Sequence, residues 1–149
     1  MKIVIGVDPD SDKHGVAIYV DGNLCDLVSL SRVDLIKIGL KYRERGFDVI
    51  FSIEDVMANQ STWRSGVAAN KRVAAKMGHG IGRLYQAMHE LLLDLEANDF
   101  DYKLHKVSSS WKDAAGKKVF EQLTGWDARS NEDTRSAAYF GWLDCNKKL

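Results

Sequence analysis

Apolar and polar positions along this chain fall into two periods. From Lys2 to Asp8 the run is β-branched and almost wholly apolar (Ile3, Val4, Ile5, Val7). Pro9 biases the residue before it toward an extended backbone, so a strand is expected to end with Asp8 at its tip. Val16 to Val20 repeats the strand pattern, Asp21-Gly22-Asn23 is hairpin-turn chemistry, and Leu24 to Leu30 follows as a third strand. Ser31 is placed to cap a helix carrying Leu35, Ile36, Ile38 and Leu40, closed by Gly46. Asp48 to Glu54 reads as a buried strand ending in the acidic pair Glu54-Asp55. The period then changes. Met77, Ile81, Leu84, Met88, Leu91, Leu92 and Leu95 recur at steps of three and four, one apolar stripe on a long helix that Asn98 ends. Tyr102 to Val107 alternates as a strand, Lys117 to Leu123 is helical with Gly125 as its stop, and Asn131 caps a last helix to about Asn146. Three strands in a meander, then helices alternating with two more strands, predict an α/β fold with helices over a five-stranded mixed sheet.

Composition narrows the class. The chain has 149 residues and 45% hydrophobic and 28% charged positions, which fits one well-packed domain and excludes a disordered chain. No apolar run approaches 18 residues and the first residues lack a signal-peptide pattern, so neither a membrane span nor secretion is expected. Cys25 and Cys145 form no metal spacing and no disulfide framework, which predicts reduced thiols in a cytoplasm. Lys and Arg number 21 and so do Asp and Glu. A net charge of zero counts, on its face, against a nucleic-acid partner.

Asp8 and Glu54 are the residues that could carry chemistry. If the first and fourth strands are parallel neighbours, both carboxylates emerge at the C-terminal edge of the sheet, where α/β folds bind ligands. Glu132 and Asp133 add acidic groups in the first turn of the last helix. Three carboxylates meeting at one edge need a counter-charge, and hard oxygen ligands suit Mg²⁺ or Mn²⁺. Two such ions about 4 Å apart activate a water and stabilise a leaving oxygen in phosphodiester hydrolysis. The bland readings are a turn for Asp8-Pro9 and a helix cap for Glu132-Asp133. A calcium loop on Asp8-x-Asp10-x-Asp12 fails, because its sixth position is Lys13 rather than Gly and its twelfth is Tyr19 rather than Glu.

Four segments in order resemble the RuvC-type Holliday-junction resolvases of the RNase H-like superfamily. Ile5-Gly-Val-Asp8-Pro-Asp-Ser-Asp-Lys-His-Gly15-Val-Ala-Ile resembles that family's first strand and hairpin, and Ser52-Ile-Glu54-Asp-Val its second acidic motif. Val107-Ser-Ser-Ser-Trp111-Lys112, followed by Gly116-Lys117-Lys118, is similar to the segment that brings lysines to DNA. Asn131-Glu-Asp133-Thr-Arg-Ser136-Ala-Ala-Tyr-Phe-Gly141 is similar to the C-terminal acidic helix. The likeness spans essentially the whole chain, whose length suits the compact phage-type members. It implies an RNase H-like fold and a Mg²⁺-dependent endonuclease, with Mn²⁺ able to substitute. It also implies a homodimer acting on branched DNA such as a four-way junction, in a bacterial or phage-infected cytoplasm. Under it Asp8, Glu54 and Asp133 are metal ligands, and Lys112 is the lysine nearest the scissile phosphate. Relatives acting on flaps, forks or RNA hybrids, and a branched-DNA-binding protein that does not cut, are the competing readings. Two positions depart from the family. Ser136 stands where a further Asp is usual, so either Glu132 completes the set or one metal is weakly held. Asp10 stands where a small residue is usual. The first motif also resembles the phosphate loop of sugar kinases and actin-like ATPases, which need two such domains and more than twice this length.

The charges are unevenly spread: −3 over residues 1–60, +4 over 61–90, −4 over 91–101, +4 over 102–118 and −1 over 119–149. Zero is therefore a cancellation. Arg72, Lys76, His79 and Arg83 share one helix face by their spacing, and a solvated face explains the row as well as a phosphate track does. Arg72, Lys76 and Arg83 are, with Trp63, Arg64, Lys117 and Lys118, the candidate DNA-binding residues. Trp63 either stacks on an unpaired base or tucks its loop onto the core. Trp126 and Trp142 read as core or interface, and the four histidines as surface or ordinary packing.

Overall fold

The computed structural model describes residues 1–58 and 71–145, and of residues 71–79 only the helical backbone. The described residues form five strands and four helices: β1 (Lys2–Asp8), β2 (His14–Val20), β3 (Asn23–Leu30), α1 (Arg32–Glu44), β4 (Asp48–Glu54), α2 (Lys71–Ala97), β5 (Asp101–His105), α3 (Ala114–Thr124) and α4 (Glu132–Cys145). The sheet order is β3-β2-β1-β4-β5, with β1 antiparallel to β2 and parallel to β4, and β4 parallel to β5. The expected mixed five-stranded α/β architecture is therefore the observed one. Asp21 and Gly22 both have positive φ (47° and 85°), the two-residue turn whose twist matches a hairpin. Ser31 Oγ accepts from the Asp34 amide at 3.2 Å, Asn131 Oδ1 from Thr134 at 2.8 Å, and Gly125 closes α3 in the left-handed region.

Several boundaries differ from the sequence reading. β2 begins at His14, because pairing with Leu30 carries the ladder two residues further. β5 stops at His105, opposite Glu54, where its partner strand ends. α3 starts at Ala114, since Asp113 caps it by accepting from the Gly116 amide at 2.6 Å. The long helix begins at Lys71, ahead of its apolar stripe. No helix among the described residues is long and apolar enough to cross a membrane.

Alternation along the strands splits the core into two layers. Ile3, Ile5, Val7, Phe51 and Ile53 face α1 and α2, where Leu35, Ile36, Met88, Leu91 and Leu95 are buried. Leu84, Met88, Leu91, Leu92 and Leu95 of the long helix's stripe thus belong to this core. Val4, Ala17 and Tyr19 face the other way, onto Ala137 and Ala138 of α4, Phe120 of α3 and Trp111. α4 lies unusually close to the sheet, and two glycines permit it. A Cβ on Gly6 would stand 2.0 Å from the Ala137 carbonyl oxygen, and one on Gly15 2.5 Å from the Asp133 carbonyl oxygen. Gly15 sits opposite Asp8 in the β1–β2 ladder, so this contact brings the first turn of α4 to the tip of β1.

Candidate active site

The last residue pair in the β1–β4 register is Val7 with Ile53, and the next residues along are Asp8 and Glu54. Strand alternation turns both side chains away from the α1–α2 core, toward α4. Both are buried. Burial pushes the Asp8 carboxyl up to about 6; the charge of Lys112 and the nearby Ser136 hydroxyl pull it down, while Asp133 and Asp10 raise it. Glu54 is pushed up to about 7, first by burial and then by the charge of Asp8, again against Lys112 and Ser136. Ser136 Oγ donates to Glu54 Oε2 at 3.4 Å. Lys112 Nζ lies 3.9 Å from Asp8 Oδ2, an oxygen that is buried and has no hydrogen-bond partner.

Asp8, Glu54, Lys112 and the first turn of α4 therefore meet at one edge of the sheet. Asp133 is exposed there, and its charge reaches both buried carboxylates. Glu132, its neighbour, is exposed at the first position of α4. As the side chains stand, no group of three His, Cys, Asp or Glu among the described residues is gathered tightly enough to hold a metal ion. The pair Asp8 and Glu54 still fits one. Two buried carboxylates repel each other, one offers an orphaned oxygen, and among the described residues the cation in contact is a lysine at 3.9 Å.

Of the DNA-binding candidates, Lys117 and Lys118 are exposed on α3, and Arg83 is exposed on α2. The positions of Arg72 and Lys76 lie on the helical backbone of α2, and their side chains are outside the described residues. Trp63 and Arg64 also lie outside them. Trp126 and Trp142 pack partly buried against the α4 layer, and Trp142 stands 5.5 Å from Trp111, ring centre to ring centre.

Two arrangements were not read from sequence. Asp144, buried in the last turn of α4, accepts a hydrogen bond from Ser52 Oγ and contacts His105 Nε2 at 2.7 Å and Lys103 Nζ at 3.8 Å. These bonds hold its carboxyl below the usual range against the opposing effect of its burial. Arg135 is buried against the segment that carries Lys112. Its signal was its place on the same helix stripe as Tyr139 and Trp142, an unusual position for a solvated arginine.

No protein-family model matches this sequence, and no curated protein does. Solved structures do. Thermus thermophilus RuvC in complex with a Holliday junction substrate is similar with a TM-score of 0.58, at 10% sequence identity, over 95% of this chain and 91% of that chain. A second structure of T. thermophilus RuvC is similar with a TM-score of 0.55, at 14% identity, over 94% of this chain and 91% of that one. The fold is that of RuvC. At such identities it is the RuvC architecture that is shared, a five-stranded mixed sheet whose parallel strands end at one edge.

Proposed function

We propose that this chain is a divalent-metal-dependent endonuclease that cuts branched DNA, with the four-way junction as its substrate. One observation carries the reading: the tips of two adjacent parallel strands of a RuvC-type fold hold Asp8 and Glu54, buried and mutually repelling, with the Lys112 ammonium 3.9 Å from Asp8. Asp8, Glu54 and Asp133 would hold Mg²⁺ or Mn²⁺, with Glu132 available beside them, and the ion would supply Lewis-acid activation of water and phosphodiester. The chain's own groups do the rest. Lys112 offsets negative charge that develops on the phosphoryl oxygens during attack, where a fixed cation in a poorly solvated site is most effective. Ser136 orients Glu54 by donating to it. Arg83, Lys117 and Lys118, with Arg64, Arg72 and Lys76, neutralise phosphates, and Trp63 stacks on a base opened at the branch point. A homodimer would present two such edges to the two strands that must be cut, in a bacterial or phage-infected cytoplasm.

Incubation with an end-labelled four-way junction and Mg²⁺ tests this. Wild type should nick the junction while Asp8→Asn does not; equal nicking by the two refutes the enzyme. Preference for flaps, forks or RNA hybrids over junctions would reassign the substrate. Ser136 favours a second reading, a branched-DNA-binding protein that does not cut. It is fully buried and gives Glu54 a hydrogen bond at a position where a carboxylate would add a metal ligand. Intact junction affinity with no Mg²⁺ or Mn²⁺ binding would select that reading.

A further inference from the structure

Arg135 lies buried in α4, two residues after Asp133 and one before Ser136, and each of its guanidinium nitrogens has a partner. Nε donates to the Trp111 carbonyl at 2.8 Å, Nη2 to the Lys112 carbonyl at 2.7 Å and Nη1 to Ser130 Oγ at 3.1 Å. The two carbonyls belong to the two peptide planes on either side of the Lys112 Cα. Each peptide unit is planar, so fixing both sets the Lys112 backbone dihedrals and the direction in which its side chain leaves the chain. The Lys112 amide also donates to the Ser109 carbonyl at 3.2 Å, so the first plane has a second tie within the segment and the second plane is held through the Arg135 contact to the Lys112 carbonyl. The Trp111 ring is packed against Phe120, Tyr139 and Trp142, which fixes residue 111. The Asp113 cap fixes the start of α3. Trp111 itself has φ 68°, a left-handed conformation that persists for a residue with a Cβ only where surrounding contacts impose it.

We propose that Arg135 is a positioning residue for Lys112: by holding both peptide planes that flank it, the guanidinium sets the ammonium beside Asp8 in register with the helix that carries Asp133 and Ser136. That Lys112 then assists phosphodiester cleavage rests on the function proposed above. A planar fork with fixed donors suits two carbonyls at once, whereas an ammonium is a point charge that cannot hold both planes. Arg135→Lys therefore keeps the charge and removes the alignment.

The test is a double-mutant cycle on junction cleavage with Arg135→Lys, Lys112→Ala and the pair, each checked for folding and for junction affinity in EDTA. Arg135→Lys should lower kcat by about 10- to 100-fold, the effect of misplacing a group by about 1 Å, and leave junction affinity within about 3-fold. In the Lys112→Ala background the same substitution should change kcat by less than about 3-fold, because the lysine through which Arg135 acts is gone. Equal effects in both backgrounds, or an unchanged kcat, overturn the proposal. If Arg135→Lys does not fold, Arg135→Gln enters the same cycle. Absence of cleavage by wild type sinks the nuclease reading and leaves the positioning claim to NMR. The Lys112 ¹³Cε resonance should shift in Arg135→Lys and not in Ser130→Ala, and an unchanged resonance in Arg135→Lys overturns the claim.

Discussion

Replacing Asp8 by Asn should stabilise the metal-free protein while abolishing whatever Asp8 does for function. Asp8 and Glu54 are buried beside each other, and their carboxyls are pushed up to about 6 and about 7 from ordinary values of 3.8 and 4.5. Raised values in the folded state mean that folding binds protons which the unfolded chain has released. Their cost is therefore absent below about pH 4, grows as pH rises, and is complete above about pH 7. At about 1.4 kcal/mol per unit the two shifts would sum to about 6 kcal/mol, but their mutual repulsion is counted in both and solvent screens part of it. About 3 kcal/mol is the reasonable total. Asp8→Asn removes its share and relieves Glu54, at the expense of the contact with Lys112. A gain of about 1–2 kcal/mol at pH 8, or about 2–8 °C in Tm, follows. Urea unfolding of both proteins in EDTA at pH 5 and pH 8 measures it, and comparing the two cancels the titrating groups remote from this edge. The variant's advantage should be larger at pH 8 by about 1 kcal/mol. A variant less stable than wild type at pH 8, or an advantage equal at the two pH values, would refute the electrostatic account of this edge.

Metal binding should run the opposite way with pH. Ligation needs ionised carboxylates, so the affinity for Mg²⁺ measured by calorimetry should rise between pH 5 and pH 8, with proton release that shrinks as pH approaches 8. Mg²⁺ at ten times its Kd should raise the stability of wild type by about 1.4 kcal/mol and leave Asp8→Asn nearly unmoved in a thermal melt. Lys112→Ala should slow junction cleavage at least about 10-fold at saturating Mg²⁺ with little change in junction affinity, as single-turnover kinetics would show. Gly6→Ala places a methyl 2.0 Å from the Ala137 carbonyl oxygen and should cost about 3 kcal/mol or more in denaturant unfolding. A variant as stable as wild type would mean that α4 does not ride this close to β1.

What could be read from the sequence is what local chemistry decides. Asp48–Glu54 emerged with its observed ends because a nearly continuous apolar run, an acidic start and an acidic finish all lie within seven residues. Asp8 and Glu54 were legible as a pair because both are strand tips, and only the parallel pairing of β1 with β4 had to be supplied. Asp144 was not legible, and Arg135 only by its place on the stripe of Tyr139 and Trp142, since a charged residue in a helix ordinarily reads as a solvated one. Asp144 finds Ser52 across 92 positions and His105 across 39, and Arg135 finds two carbonyls 23 and 24 positions back. Nothing in residue type announces that a backbone carbonyl will be the partner. The approach of α4 was half legible: Gly6 and Gly15 stand in strands where a side chain would pack better, yet only the structure shows that the missing Cβ atoms make room for the Ala137 and Asp133 carbonyls. These close contacts link the two levels. The carboxylates sit at strand ends that any strand could provide, but the lysine and the acidic turn reach them only because glycines let a helix descend onto the sheet and a buried arginine on that helix grips the lysine's backbone.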